Sequence, residues 1–351
     1  MPRRATEPLK RLFMKHHFVD FLDREGGYWT MLPNHDRYAF ALGDCPEGSP
    51  EVRIATIGEN EPNWRRVLTL PNLEELTLHE PTQAQLNAVS VLTGLKRLRV
   101  THARPRDIEF VRPLSQLEEL VLEHVSGVRD LSPLSDLKRL RALHTESLRG
   151  VKSFDGLSNI DSLRSLSIFG ALNWKQPIED FEFLGRLPNL EFLRLSSVVN
   201  RTAYPAMLPA TTLQHLKKLS IRRNLLAAEE FALLEVALPG VKGADWGPYT
   251  TVSWNWLPMT ADDDRGRLPE DVLRANHPEV LLHPDGSVTV SDPETERIEF
   301  TGKGTRHLAC RSSKAVKRCR ERAERYEDWK AKARKTLDTR VVDWGRLGRA
   351  R

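Results

Sequence analysis

Cysteine is scarce: Cys45, Cys310 and Cys319 are the only three in 351 residues. So small and odd a set excludes a disulfide-stapled scaffold and fits a reducing compartment, which makes the cytoplasm the expected location. Long apolar runs are lacking as well. None approaches the roughly 18 residues a membrane span requires. Charges and two histidines interrupt the basic residues 1–22 where a signal peptide would carry its apolar core, so the chain reads as non-secreted. Catalytic fingerprints are also missing. There is no Gly-x-x-x-x-Gly-Lys-Ser/Thr loop, no Gly-x-Gly-x-x-Gly, no Gly-x-Ser-x-Gly and no His-Glu-x-x-His. His307, Cys310 and Cys319 do not share one helix face as a zinc set would. Asp262-Asp263-Asp264 lacks the spaced oxygens and glycine of a calcium loop. The expectation is a protein with no enzyme activity, no metal and no cofactor.

What is present describes a chain that packs a core: 40% hydrophobic and 29% charged residues. The net charge of +5 hides an asymmetry, since residues 306–351 hold 16 Lys and Arg against 6 Asp and Glu, leaving the rest net acidic.

One short apolar pattern dominates. Leu-x-x-Leu-x-Leu or a close variant begins at Leu73, Leu95, Leu117, Leu140, Leu163, Leu190 and Leu216, at steps of 22, 22, 23, 23, 27 and 26 residues. Self-similarity at such a period marks a solenoid. Side chains of a strand alternate sides, so in residues 73–78 Leu76 and Leu78 point into the core while Glu75 and Thr77 face out. A single coil cannot bury its own leucines, so the coils must stack and align their strands in a parallel sheet.

The pattern resembles the leucine-rich repeat family in its short, internalin-like form, over roughly residues 65–246. The most specific likeness is the run Asp130-Leu131-Ser132-Pro133-Leu134-Ser135-Asp136-Leu137, with weaker echoes at 107–114 and 154–157. The resemblance implies an α/β solenoid, right-handed, with a concave parallel sheet that holds partner proteins. One feature departs from it. Where the family places an Asn or Cys ladder, this chain has Pro81, Ala103, Val125, Leu148, Ala171, Val198 and Asn224, so the loop backbone must be satisfied otherwise.

Four regions follow: an N-terminal cap at 1–64, the solenoid at 65–257, a linker and β-hairpin region at 258–305, and a basic amphipathic helix and tail at 306–351. The cap is expected to hold a helix near residues 6–22 and short strands at 28–30 and 38–40. Residues 241–246 read as a degenerate eighth repeat and 251–256 as a strand that seals the array. Residues 280–290 carry Pro-Asp-Gly between two β-rich runs, which predicts a hairpin, with 297–301 as a third strand. From 306 to 337 an apolar stripe of Val316, Cys319, Ala323, Tyr326, Ala333 and Leu337, broken by Lys330, predicts the helix.

Outward positions form three columns on the sheet. In the first, Arg97 lies between Glu75 and Glu119, so these charges offset one another. The C-terminal half offers Phe169, Phe192, Arg194, Lys218 and Arg222, and the two longest repeats add Trp174 and Tyr204 at one rim. Aromatic residues and arginine dominate interface energetics. The expected protein-binding residues are therefore Phe169, Trp174, Phe192, Arg194, Tyr204 and Arg222, and the expected partner is a partly acidic protein. The chain thus reads as a protein-protein interaction scaffold or adaptor inside the cell. The alternative is a nucleic-acid-associated adaptor, in which Lys314, Lys317, Arg318, Arg320, Arg322 and Arg325 bind phosphates.

Overall fold

A computed structural model describes residues 13–15, 38–40, 42, 47–244, 246–253, 255–260, 262–277, 280–283, 287–292 and 294–347. Cys45, the expected strand at 28–30, Trp254 and the Pro-Asp-Gly turn at 284–286 lie outside them. Contacts divide the chain into two units, one of Met1–Leu225 with Leu238–Ala244, the other of Leu226–Ala237 with Asp245–Arg351.

The first unit is a ten-stranded sheet. It begins with an antiparallel pair, β1 (Phe13–Lys15) and β2 (Tyr38–Phe40). The pair corrects the expected helix near residues 6–22, where Phe13–Lys15 is extended. A parallel stack then runs through β3 (Ile54–Gly58), β4 (Glu75–His79), β5 (Arg97–Thr101), β6 (Glu119–Glu123), β7 (Ala142–Glu146), β8 (Ser165–Phe169), β10 (Phe192–Ser196) and β12 (Lys218–Ile221). Two short strands, β9 (Gln176–Ile178) and β11 (Val198–Asn200), pair in parallel beside it. The eighth repeat is reduced to a single bridge between Lys218 and Lys242.

Alternation places Leu76, Leu78, Leu98, Val100, Leu120, Leu122, Leu166, Ile168, Leu193 and Leu195 inside, each at most 2% exposed. The chain returns through α1 (Gln83–Val89) or through short 3-10 turns, whose apolar residues such as Leu134, Phe154, Phe183 and Leu184 meet the strands in the same core. Helix α1 starts at a capping box, with the Thr82 hydroxyl accepting from the Gln85 amide at 3.2 Å and the Gln85 side chain accepting from the Thr82 amide at 2.7 Å.

The missing amide ladder is replaced in two ways. At the strand exits Glu80, His102, His124, Ser147 and Ser197 adopt left-handed backbone with φ between 50° and 55°. Their turned amides reach across: Glu80 donates to the Thr101 carbonyl at 2.9 Å, His102 to Glu123 at 2.9 Å, His124 to Glu146 at 2.8 Å and Ser147 to Phe169 at 2.9 Å. Two buried glutamines add to this, as Gln85 donates to the Gly58 carbonyl at 2.9 Å and Gln176 to that of Val151 at 2.8 Å. The family's ladder positions Ala103, Val125, Leu148 and Val198 are buried and apolar instead. Strand entries repeat a separate device, in which one carbonyl accepts two successive amides of the next coil: Glu74 from Lys96 and Arg97, Lys96 from Glu118 and Glu119, Glu118 from Arg141 and Ala142.

The second unit holds two small antiparallel sheets. In one, β13 (Tyr249–Val252) and β18 (Leu308–Ala309) flank β17 (Arg297–Phe300). In the other, β14 (Trp256–Pro258) and β15 (Val280–Leu282) flank β16 (Val288–Ser291). The hairpin at 280–290 thus forms, but the strand at 297–300 pairs elsewhere rather than extending it, and 251–256 splits between the two sheets. Helix α2 (Ala228–Ala237) packs along α4 (Ala315–Leu347), and a short α3 spans Glu270–Asn276. Helix α4 starts later than the composition suggested, because 308–309 complete a sheet. Its buried stripe holds Ala315, Tyr326 and Ala333, whereas Val316 is 74% exposed. Lys330, which breaks that stripe, lies 3.3 Å from Glu235 of α2, and Tyr326 donates to the same carboxylate at 2.9 Å.

Candidate functional site

The strand register builds the outward columns residue by residue. Glu75, Arg97, Glu119, Ala142, Ser165, Phe192 and Lys218 are successive Cα partners, as are Thr77, Arg99, Val121, His144, Ser167, Arg194 and Ser220. In the N-terminal half the charges close on one another. Arg97 pairs with Glu75 and lies 2.8 Å from Glu119, while Arg99 reaches diagonally to Glu123 at 2.6 Å.

The C-terminal half is built from rings and cations. Arg194 stacks over Phe169 with its guanidinium carbon 4.9 Å from the ring centroid, and the edge of His144 meets the same ring at 5.0 Å. Arg194 is half-buried, and burial together with Arg222 lowers its pKa from the ordinary arginine value. Arg222 is exposed, and among the described residues neither arginine meets a carboxylate within ion-pair distance. Phe192 is a correction. It occupies an outward position but is only 2% exposed, because the Lys218 side chain extends across it with Nζ 5.7 Å from its centroid. An aliphatic lysine stem covers an apolar ring while keeping its charge in water, so Phe192 supports the surface from beneath.

The rim aromatics are half-buried rather than free. Trp174 closes a tight turn in which the Ala171 amide donates to its carbonyl at 2.8 Å, and Tyr204 precedes a cis Pro205. The turn displays a residue that sequence reasoning missed, Leu172, which is 97% exposed at its tip. Gly170 lets the chain pass into this turn, since a Cβ there would lie 2.2 Å from the Ser197 carbonyl oxygen.

The sequence columns also held a polar cluster with no motif to announce it. Glu123 and Glu146 are Cα partners, and His144 stands two residues before Glu146 on the same face. Burial raises the pKa of both carboxyls, with Arg99 acting in the opposite sense on each. Burial, then Arg99 and Arg194, lowers that of His144 to about 3, so its imidazole is neutral.

In the second unit Lys314, Lys317, Arg318, Arg320 and Arg325 are exposed. Arg322 is the exception. It donates to the Thr301 carbonyl and lies over Trp329 at 4.7 Å, so its guanidinium is committed within its own unit. Arg306, His307, Arg318, Arg322 and Arg325 line one groove of about 520 Å³, together with Glu321. Cys310 and Cys319 pack against a small core of Ile298, Phe300 and Ala315, and burial raises the Cys310 thiol pKa.

Eight parallel rungs with inward apolar side chains, mostly leucines, and interleaved residues on the opposite face decide the architecture. The fold is an α/β solenoid of stacked coils with one continuous parallel sheet. Similar solved structures include an internalin of Listeria monocytogenes at 19% identity and TM-score 0.43, covering 56% of this chain and 53% of that one. Internalin C2 of the same organism matches at 20% identity and TM-score 0.37, covering 48% of this chain and 71% of that one. A leucine-rich repeat protein of Leptospira interrogans matches at 18% identity and TM-score 0.33, over 51% and 56%. This chain therefore spans about half the length of the first internalin. No family model matches the sequence, and no curated protein matches it.

Proposed function

We propose that the solenoid is a protein-binding scaffold that holds a partly acidic partner on the C-terminal half of its outward sheet face and the adjoining rim. The observation that carries this reading is Arg194, stacked over the ring of Phe169, with Arg222 near enough to act on its charge and no carboxylate to offset either among the described residues. A desolvated carboxylate arriving there gains a charge-assisted bond that the free protein leaves unmade. Trp174 and Tyr204 extend the surface along the rim. The sparse cysteines favour work inside the cell, and no helix among the described residues is long and apolar enough to cross a membrane.

A second reading rests on the basic groove of the other unit, where Arg318 and Arg325 could meet a nucleic-acid phosphate while the repeats recruit a protein. One affinity purification from the producing cell tests both. The first reading expects a protein that co-purifies with the wild type and is lost from Arg194→Glu/Arg222→Glu at unchanged melting temperature. Retention of that protein overturns it. Nucleic acid that is lost from Arg318→Glu/Arg325→Glu alone supports the second.

A further inference from the structure

A buried carboxyl, a half-buried carboxyl and a buried imidazole make an unusual combination on a sheet face whose other acids are matched by arginines. Glu75 and Glu119 share Arg97, whereas Glu123 and Glu146 have one close guanidinium between them. Arg99 holds Glu123 by two bonds, from Nε at 2.7 Å and Nη2 at 2.6 Å, both to Oε2. Glu146 faces His124, whose Nε2 is 3.5 Å from Oε1 and carries a charge only when protonated. One half-buried carboxylate therefore lacks a permanent cation, and withdrawing such a charge from water without a partner is costly.

Geometry selects the cation. One ligand atom from each of Glu123, His144 and Glu146 lies within 4.8 Å of the others, close enough for modest side-chain rotation to bring all three onto one ion. The imidazole nitrogen argues against magnesium or calcium, which prefer oxygen alone, and suits a borderline divalent ion with tetrahedral N and O ligands. Outer contacts hold the ligands in place: Arg99 fixes one oxygen of Glu123, and the edge contact with Phe169 fixes the plane of His144. Such supporting partners are a normal part of a metal site.

We propose that Glu123, His144 and Glu146 bind one divalent transition-metal ion of the zinc type on the outward face of β6 and β7. The site is independent of the partner-binding reading, since it is formed by the chain alone.

Cobalt(II) tests it, because its visible absorption reports a tetrahedral environment. Chelator-treated full-length protein at neutral pH should take up one equivalent with a tetrahedral spectrum, and zinc should displace it. Glu146→Gln, a near-isosteric change at a half-buried position, should weaken binding by more than about 100-fold, beyond what loss of an outer partner commonly does. His144→Ala should do the same, with circular dichroism showing that it folds. Cys310→Ser/Cys319→Ser should bind as the wild type does. Absence of a tetrahedral cobalt spectrum, unchanged affinity in Glu146→Gln, or loss of binding in the cysteine variant would each overturn the proposal.

Discussion

His102 sits in a left-handed backbone conformation that an L-residue adopts at a penalty of roughly 1–2 kcal/mol. Nothing in the sequence marks it, because the residues at equivalent exits are Glu80, His124, Ser147 and Ser197 rather than glycine. The array accepts this strain in return for an amide turned toward the next coil. The ring of His102 also stacks on His124 at 4.7 Å, so backbone and side-chain roles need separating. His102→Gly should leave stability within about 1 kcal/mol of wild type, whereas His102→Val, β-branched at positive φ, should lose about 1–2 kcal/mol or more. Urea denaturation of both variants checks this, and equal losses would assign the role to the ring instead. Phe192 teaches a related lesson. The direction of its Cβ was legible from flanking Leu193 and Leu195, but its cover was not, since a period of two says nothing of where the Lys218 stem will lie.

Strands were the most legible elements, because from β4 to β12 every rung of the stack carries at least one inward leucine at a regularly recurring position. The cluster of Glu123, His144 and Glu146 was readable as positions in two columns, yet its meaning depended on pairing across coils 23 residues apart, which no local motif records. Helix α4 was legible from its stripe, but its start was not, because residues 308–309 turn back to pair with the preceding strand β17. Lys330 looked like a flaw in that stripe until α2 supplied Glu235. The carboxylate of Glu235 serves both Lys330 and the buried Tyr326 hydroxyl. Tyr326→Phe should destabilise the α2–α4 pair by about 2 kcal/mol, as expected for a hydrogen bond to a charged group. Hydrogen exchange of α4 amides is the measurement, and unchanged protection would show that Tyr326 acts through packing alone.

At the scale of the molecule, stacked coils contact only their neighbours, so stability is shared locally along the array. Leu166, 0% exposed in the middle of the stack, has coils on both sides. Leu166→Ala should cost about 2–5 kcal/mol, read as a lowered denaturant midpoint. The same change at Leu219, next to the single-bridge final coil, should cost less, and a larger loss at Leu219 would argue against shared local stability. The second unit was only coarsely legible: its hairpin and helix could be read, but not which sheet each strand joins, since antiparallel pairings over 40 residues leave no periodic trace.

The doubled carbonyl that recurs at the strand entries from β4 to β12 has a consequence for how such a chain can change its length. Each coil offers the next one the same acceptor and receives the same two amides, whatever side chains it carries. Whole coils can therefore be duplicated or lost without rewriting the backbone seams, and what has to be re-phased is only the alternation of acids and bases along them, as in Arg53, Glu74 and Lys96.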